Sequence, residues 1–302
     1  MSTRALDVVT IMHALRTLEG ELDISRWSTT NDSQDKLFAW LYSHREQLSE
    51  VTGLDAKASR FYEELNAYLV EHRFDPMFDP FDPDNGIGVV SILDKLVNWL
   101  HGPYEIVKIR TEQGMLPGFD VPPDGVNIYE VEGYQGSYLL ELLTKSDDTP
   151  WLFIHDDTTL TGLDLVTLSM DVMGKNRQKP TREWYGDVQP TFAGAQVLML
   201  DFKDEPDLGW LMGASATTPG DTWTVTQAKQ EFKMRMDQTG ARVKVATGIG
   251  MTRTSVSLKP MKFIVDRPFY GWWTQKDLSL PMAAFFADWD ALRQPEGSLE
   301  DL

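Results

Sequence analysis

QEFKMRMDQTGARVKVATGIGMTRTSVSLKPMKFIVDRPFYGWW, residues 230–273, decides how the rest of the chain is read. Apolar Phe232, Met234 and Met236 alternate with Lys233, Arg235 and Asp237, the period-two pattern of a half-buried strand. Gln238-Thr239-Gly240 interrupts it. The alternation then resumes, with Ala241, Val243 and Val245 on one side and Arg242, Lys244 and Ala246 on the other. Residues 247–260 are rich in Thr, Ser and Gly and poor in large apolar groups, which suits an exposed loop. Strand character returns at Phe263-Ile264-Val265, just before Asp266-Arg267-Pro268-Phe269.

Working outward, the first hundred residues read as helical. Val8, Ile11, Met12, Leu15 and Leu18 lie at helical spacing, with a stop signal at Gly20. A second helix is expected over Ser33–Gln47. A third is expected to be capped by Asp55 and to carry Ala58, Phe61, Tyr62, Leu65 and Leu69 as one stripe. A fourth is expected to carry Ile92, Leu93, Leu96, Val97 and Leu100 up to Gly102-Pro103. From Tyr104 the period falls to two, the signature of strands. Strands are expected over 104–111, 126–132, 138–144, 151–155 and 196–202. A helix is expected over Leu163–Met173, an exposed connection over Lys175–Pro190, and a short helix near 208–212. The acidic tail beyond Gln294 is expected to be disordered. The chain reads as a single domain over residues 1–302, mainly helical over 1–103 and mainly β over 104–293.

Several of these stretches resemble the serpin family. Met236-Asp237-Gln238-Thr239-Gly240 stands where that family has an acidic D-E-E-G-type turn. Residues 241–247 stand at its small-residue hinge and residues 248–261 at its reactive loop. Phe263-Ile264-Val265-Asp266-Arg267-Pro268-Phe269 matches its F-x-V-D-R-P-F-type strand, and residues 280–287 its closing strand. Residues 107–114 and 126–134 are similar to family segments in the same order. Val197 to Lys203 resembles a V-x-L-P-K-F-type strand, with Asp201 where a basic residue usually lies and no proline. The N-terminal third is shorter than the family's. The resemblance implies an α+β, serpin-like fold: N-terminal helices packed on mixed and antiparallel β-sheets, with an exposed reactive loop over 241–262.

The resemblance also implies a mechanism. A serine protease attacks the loop and forms a covalent acyl-enzyme, and the freed hinge side enters a sheet as a new strand. The hinge is then Gly240, Ala241, Arg242, Val243, Lys244, Val245, Ala246 and Thr247, and the reactive bond Arg253-Thr254. Arg253 is the only basic residue between Lys244 and Lys259, so a trypsin-like protease is the expected partner. Cleavage after Met251 by a chymotrypsin-like or elastase-like enzyme is the competing reading. Val243 and Val245 are bulkier and stiffer than the Thr and Ala that inhibitory members favour, which would slow insertion.

With 42% apolar residues, the 302-residue chain can bury a substantial core. A net charge of -18, from 46 acids and 28 bases, argues against nucleic acid or an anionic membrane as partner. The absence of cysteine removes disulfide and thiolate chemistry. The N-terminal apolar stretch is broken by Asp7 and His13 and reads as a helix, not a signal peptide. The expected location is cytoplasmic, or secreted if a signal has been removed. A monomer without metal or cofactor is expected. His155-Asp156-Asp157 lacks spaced partners for catalysis. Asp75, Asp79, Asp82 and Asp84 miss calcium-loop spacing, because Leu93 stands where a glutamate is needed. Gly248-Ile249-Gly250 is not a nucleotide fingerprint, and Trp272-Trp273 reads as core. Two other functions remain open: a non-inhibitory serpin-fold binding or structural protein, and an acidic enzyme whose site has no recognised motif.

Overall fold

The computed structural model describes residues 4–156, 160–184, 187–218, 220–241 and 261–299. Strand β1 (Arg4–Leu6) leads into helix α1 (Val8–Leu22). Asp7 caps α1, its Oδ1 accepting from the Val9 and Thr10 amides at 2.9 and 3.1 Å. The helix runs through Gly20 and ends at Asp23, which takes the left-handed conformation. Val8, Ile11, Met12 and Leu15 form its buried stripe. Strand β2 (Trp27–Ser28) precedes helix α2 (Asp32–His44), capped by Asn31 and close to its expected position.

The next fifty residues differ from expectation. Leu54–Ser59 is strand β3, so the expected third helix keeps only its second half, as α3 (Tyr62–Glu71) with Leu65 and Leu69 buried. The expected fourth helix is replaced by strands β4 (Gly88–Leu93) and β5 (Val97–Asn98). Val89, Val90 and Ile92 are β-branched and suit a pleated surface. Full-length pairing with β3, from Leu54↔Leu93 to Ser59↔Gly88, settles an apolar run that periodicity leaves ambiguous.

Strands β6 (Glu105–Thr111), β7 (Gly114–Val121), β8 (Val126–Val131), β9 (Tyr138–Leu142) and β10 (Asp148–Ile154) follow, then helix α4 (Leu163–Gly174). The expected plain connection contains strands β11 (Arg177–Gln178), β12 (Thr181–Trp184) and β13 (Asp187–Pro190). Strands β14 (Phe192–Leu198) and β15 (Leu200–Asp204) divide the single strand expected over 196–202. A short 3-10 turn over Gly209–Leu211 precedes β16 (Ser215–Thr217), β17 (Thr222–Thr224), β18 (Phe232–Met236) and β19 (Gly240–Ala241). The chain closes with β20 (Met261–Ile264), β21 (Phe269–Gln275) and β22 (Ala283–Ala287). Met261 and Lys262 therefore belong to a strand and not to the exposed loop expected over 241–262.

The largest sheet has the order β1-β22-β21-β10-β9-β8-β11. Its central strands read as continuous apolar runs, such as Trp151-Leu152-Phe153-Ile154, because both faces are covered. Helix α4 packs against β1, β21 and β22. Gly271 pairs with Phe285 across this sheet, and a Cβ at Gly271 would lie 2.3 Å from the Phe285 ring. Only glycine leaves room for that ring. Trp272 and Trp273 are both buried, as expected. A second sheet has the order β20-β14-β7-β6, with β20 parallel to β14. The β3–β4 and β15–β18 pairs stand opposite each other over α1, whose side chains pack against β3 and β4.

Asp201, the acid standing where the serpin pattern has a base, is paired across β15–β18 with Arg235 at 3.3 Å. This pair also anchors the C-terminal segment. The Glu296 amide donates to Asp201 Oδ2 at 3.0 Å, Arg235 donates to the Ser298 carbonyl at 3.0 Å, and Leu299 is buried. Residues 294–299 are thus packed, contrary to the disordered tail expected there.

Candidate functional site: a slot between β4 and β18

Among the described residues, β4 pairs only with β3, and β18 only with β15. The facing edges of β4 and β18 enclose a cavity of about 800 Å³. Its floor is α1, through Thr10, Ile11, Ala14 and Leu15. One wall is residues 88–96, and the other is residues 222–235. Strand edges facing an unfilled space carry main-chain donors and acceptors that a further strand would satisfy.

The upper end of the slot is tightly built. Trp99 is 1% exposed and stacks on Phe119 and Tyr104, with ring centroids 5.8 and 6.4 Å away. Its Nε1 donates to the Asp237 carbonyl at 2.9 Å, and the Tyr104 amide donates to the Gln238 carbonyl at 2.7 Å. Asp237 Oδ1 accepts from the Thr239 amide and hydroxyl at 2.7 and 2.5 Å, which fixes the turn after β18. Beyond that turn β19 pairs antiparallel with β5, Gly240↔Asn98 and Ala241↔Val97, and lies beside β18. Gly240 and Ala241, the first two residues of the expected hinge, therefore stand at the top of the slot as a short strand.

The walls are fixed to the body by polar contacts that could not be read from the sequence. Lys95, between β4 and β5, is nearly buried. It donates to Asp148 at 2.8 Å, Gln275 at 2.9 Å and Thr52 at 2.6 Å, which uses all three of its hydrogens. The Asp7 amide donates to Gln230 Oε1 at 2.9 Å, and Gln230 Nε2 donates back to the Asp7 carbonyl at 2.8 Å. That exchange ties the start of α1 to the residues leading into β18. Burial pushes the Asp7 carboxyl up to about 7, against the lowering effect of the amides it caps. His13 on α1 contacts Ser91 on β4 at 2.9 Å, and burial holds its pKa below the ordinary histidine value.

The remaining residues of the expected hinge, Arg242 to Thr247, lie outside the described residues, as do Met251, Arg253, Thr254 and Gly248-Ile249-Gly250. His155 contacts Ser137 at 2.8 Å and packs on Phe153. Among the described residues no group of three or more acidic or histidine side chains could hold a metal. Asp82 accepts from the Asp84 amide and the Asn85 side chain, so it closes a local turn. Asp75 and Asp79 instead reach lysines across the slot.

No protein-family model matches the sequence, and no curated protein gives a significant match. Solved structures do. A serpin of the insect Tenebrio molitor, Serpin48, superposes with a TM-score of 0.60 at 13% identity, over 95% of this chain and 92% of that one. Human thyroxine-binding globulin complexed with thyroxine gives 0.56 at 9% identity, over 94% and 91%. Mouse protein-Z dependent protease inhibitor gives 0.51 at 11% identity, over 95% and 91%. With helices and sheets in matching arrangement over nearly the whole length, the chain has the α+β fold of the serpins.

Proposed function

We propose that this protein is a suicide-substrate inhibitor of a serine protease, in which the cleaved loop enters the slot between β4 and β18. The similar structures include both a protease inhibitor and a thyroxine-binding globulin, so the fold alone does not decide. The observation that carries the reading is β19: the chain after β18 turns back and starts a strand at the top of a slot that no other described residue fills.

The sequence beyond Ala241 suits the rest of the slot. If the Ala241↔Val97 register continues without a bulge, Val243, Val245 and Thr247 stand opposite Lys95, Leu93 and Ser91. Their side chains would turn toward α1, as Ser91 does in touching His13. Arg242 and Lys244 would stand opposite the exposed Leu96 and Asp94, on the solvent side. Ala246 and Gly248 would stand opposite Ile92 and Val90, which are buried against Leu65 and Leu69 of α3. Small residues therefore fall at the positions where the covering helix leaves least room.

In the proposed reaction, the protease serine attacks the carbonyl carbon of Arg253. The bond to Thr254 breaks, the Thr254 amine leaves with a proton, and an ester joins Arg253 to the enzyme. Insertion then carries the esterified protease away before water can release it. Arg253 makes a trypsin-like enzyme the favoured target. Incubation with trypsin is expected to give a denaturant-resistant adduct, with the segment starting at Thr254 released as a separate peptide. Complete cleavage without adduct would exclude inhibition and leave a serpin-fold binding protein. An adduct whose released peptide starts at Thr252 would move the reactive bond to Met251.

A further inference from the structure

Strand β3 is paired along one side. Among the described residues its partner is β4 alone, in the register Leu54↔Leu93 to Ser59↔Gly88. The Asp94 amide donates to the Gly53 carbonyl at 2.9 Å, which makes Gly53 and Asp94 a hydrogen-bonded pair of this antiparallel ladder. Alternation then commits the amides and carbonyls of Asp55, Lys57 and Ser59 to β4, and turns those of Leu54, Ala56 and Ala58 to the outside. The Ala56 amide agrees: it donates to Asp55 Oδ1 at 2.8 Å. Helices α1 and α3 both contact β3, yet none of its six residues is buried. Asp55 and Lys57 share the face toward α3, where Tyr68 donates to Asp55 Oδ2 at 2.7 Å and Lys57 lies over the Tyr68 ring at 5.8 Å. Lys57 makes no ion pair among the described residues.

We infer that the outer edge of β3 is a self-association surface, at which two copies of this chain pair β3 with β3 antiparallel about a twofold axis through Ala56, in place of the expected monomer. The charges choose this register. With outward groups at Leu54, Ala56 and Ala58, an axis at residue 55 sets Asp55 opposite the partner's Asp55, and an axis at residue 57 sets Lys57 opposite the partner's Lys57. Axes nearer either end pair fewer residues. An axis at Ala56 sets Asp55 opposite the partner's Lys57, and symmetry makes that contact twice. Opposite charges directly across an antiparallel pair stabilise it, and like charges destabilise it. The Tyr68 hydroxyl and the Ala56 amide hold the Asp55 carboxyl below its ordinary value, so it is ionised at neutral pH. On pairing, the Ala56 amide passes from Asp55 to the partner's Ala56 carbonyl, which frees the carboxylate for the partner's Lys57. Leu54 exchanges bonds with the partner's Ala58, and the result is one sheet, β4-β3-β3-β4, running through both copies. The slot edges of β4 and β18 take no part in it.

Sedimentation of the intact protein should show monomer at about 1 µM and mainly dimer at about 200 µM, as suits an edge contact smaller than a standard interface. Over that range amide exchange should slow about tenfold at Leu54, Ala56 and Ala58, and stay unchanged at Asp55 and Lys57, whose amides β4 already holds. Charge reversal supplies the decisive comparison. Asp55→Lys sets a base against the partner's Lys57, and Lys57→Asp sets an acid against the partner's Asp55, so each variant alone should associate at least about tenfold more weakly than wild type. Mixed in equal amounts, the two variants should form a heterodimer within about threefold of wild-type affinity, since every contact then joins a base of one chain to an acid of the other. A merely structural role for either residue would not be repaired by mixing. Wild type that stays monomeric at about 200 µM overturns the proposal, whether or not the variants fold. Single variants that dimerise as tightly as wild type, or a mixture that recovers nothing, overturn it as well, because association would then use another surface.

Discussion

Cutting the loop at Arg253-Thr254 is expected to raise the thermal midpoint of this protein by at least about 10 °C, although no contact seen in the intact chain is strengthened by the cut. Strand β4 has six residues and β18 five, and alternate residues of each direct their amide and carbonyl into the slot. A strand entering between them makes roughly ten main-chain hydrogen bonds, each worth about 1 kcal/mol net. Val243, Val245 and Thr247 would add apolar burial at about 25 cal/mol per Å². Ordering the inserted residues costs about 1–2 kcal/mol each and removes much of that gain. A surplus of about 5 kcal/mol, at about 2 °C per kcal/mol for a chain this long, gives the stated shift. The intact protein is then held above its most stable state by a kinetic barrier. Calorimetry of intact and cleaved protein measures the difference directly. Ala246→Arg should cleave normally yet lose the gain, because Ala246 would face Ile92 beneath α3, where a charged side chain has no partner. An unchanged midpoint in cleaved wild type would remove insertion from the account.

Trp99→Ala is expected to lower the midpoint of the intact protein by about 8 °C. Removing a fully buried tryptophan costs about 4 kcal/mol through lost transfer free energy and the cavity left behind. Here the ring also stacks on Phe119 and Tyr104, and its Nε1 serves the Asp237 carbonyl at the turn before β19. Trp99→Phe retains most of the packing and leaves that carbonyl without its donor, so a loss of about 1–3 kcal/mol is expected. Both variants should speed exchange of the Ala241 amide, since β19 depends on the turn. Denaturant titration of the three proteins gives the energies. A loss below about 1 kcal/mol for Trp99→Ala would mean that Trp99 does not hold the upper end of the slot.

The sequence carried some of this plainly. The alternation in Phe232 to Met236 gave β18, and the residues from Phe263 to Phe269 gave the strand pattern around the loop. Helices α1, α2 and α4 follow from apolar spacing, although α1 runs through the stop expected at Gly20. The slot's other wall was hidden. Residues 88–93 form a short apolar run in which Ile92 and Leu93, with Leu96 and Val97, also satisfy helical spacing. Only pairing with β3 decides between the two, and that pairing is tertiary. The same holds for β3 itself, where Asp55 looks like a helix cap but sits opposite Ile92. The polar anchors were equally out of reach, since Lys95 finds partners 43, 53 and 180 residues away. Their side chains converge only once the sheets are assembled. The C-terminal segment escapes the sequence for a related reason: its acidic composition points to solvent, while Asp201 and Arg235 offer it part-buried hydrogen-bonding partners.

On the proposed mechanism, the edges of β4 and β18 that are unpaired among the described residues receive the severed loop. Amide exchange over residues 88–93 and 232–236, compared between intact and trypsin-cleaved protein, addresses it most directly. Insertion should slow exchange of the slot-facing amides in both strands by two orders of magnitude or more, about 3 kcal/mol of added protection. Equal exchange in the two forms, with the loop shown by mass to be cut, would contradict the claim.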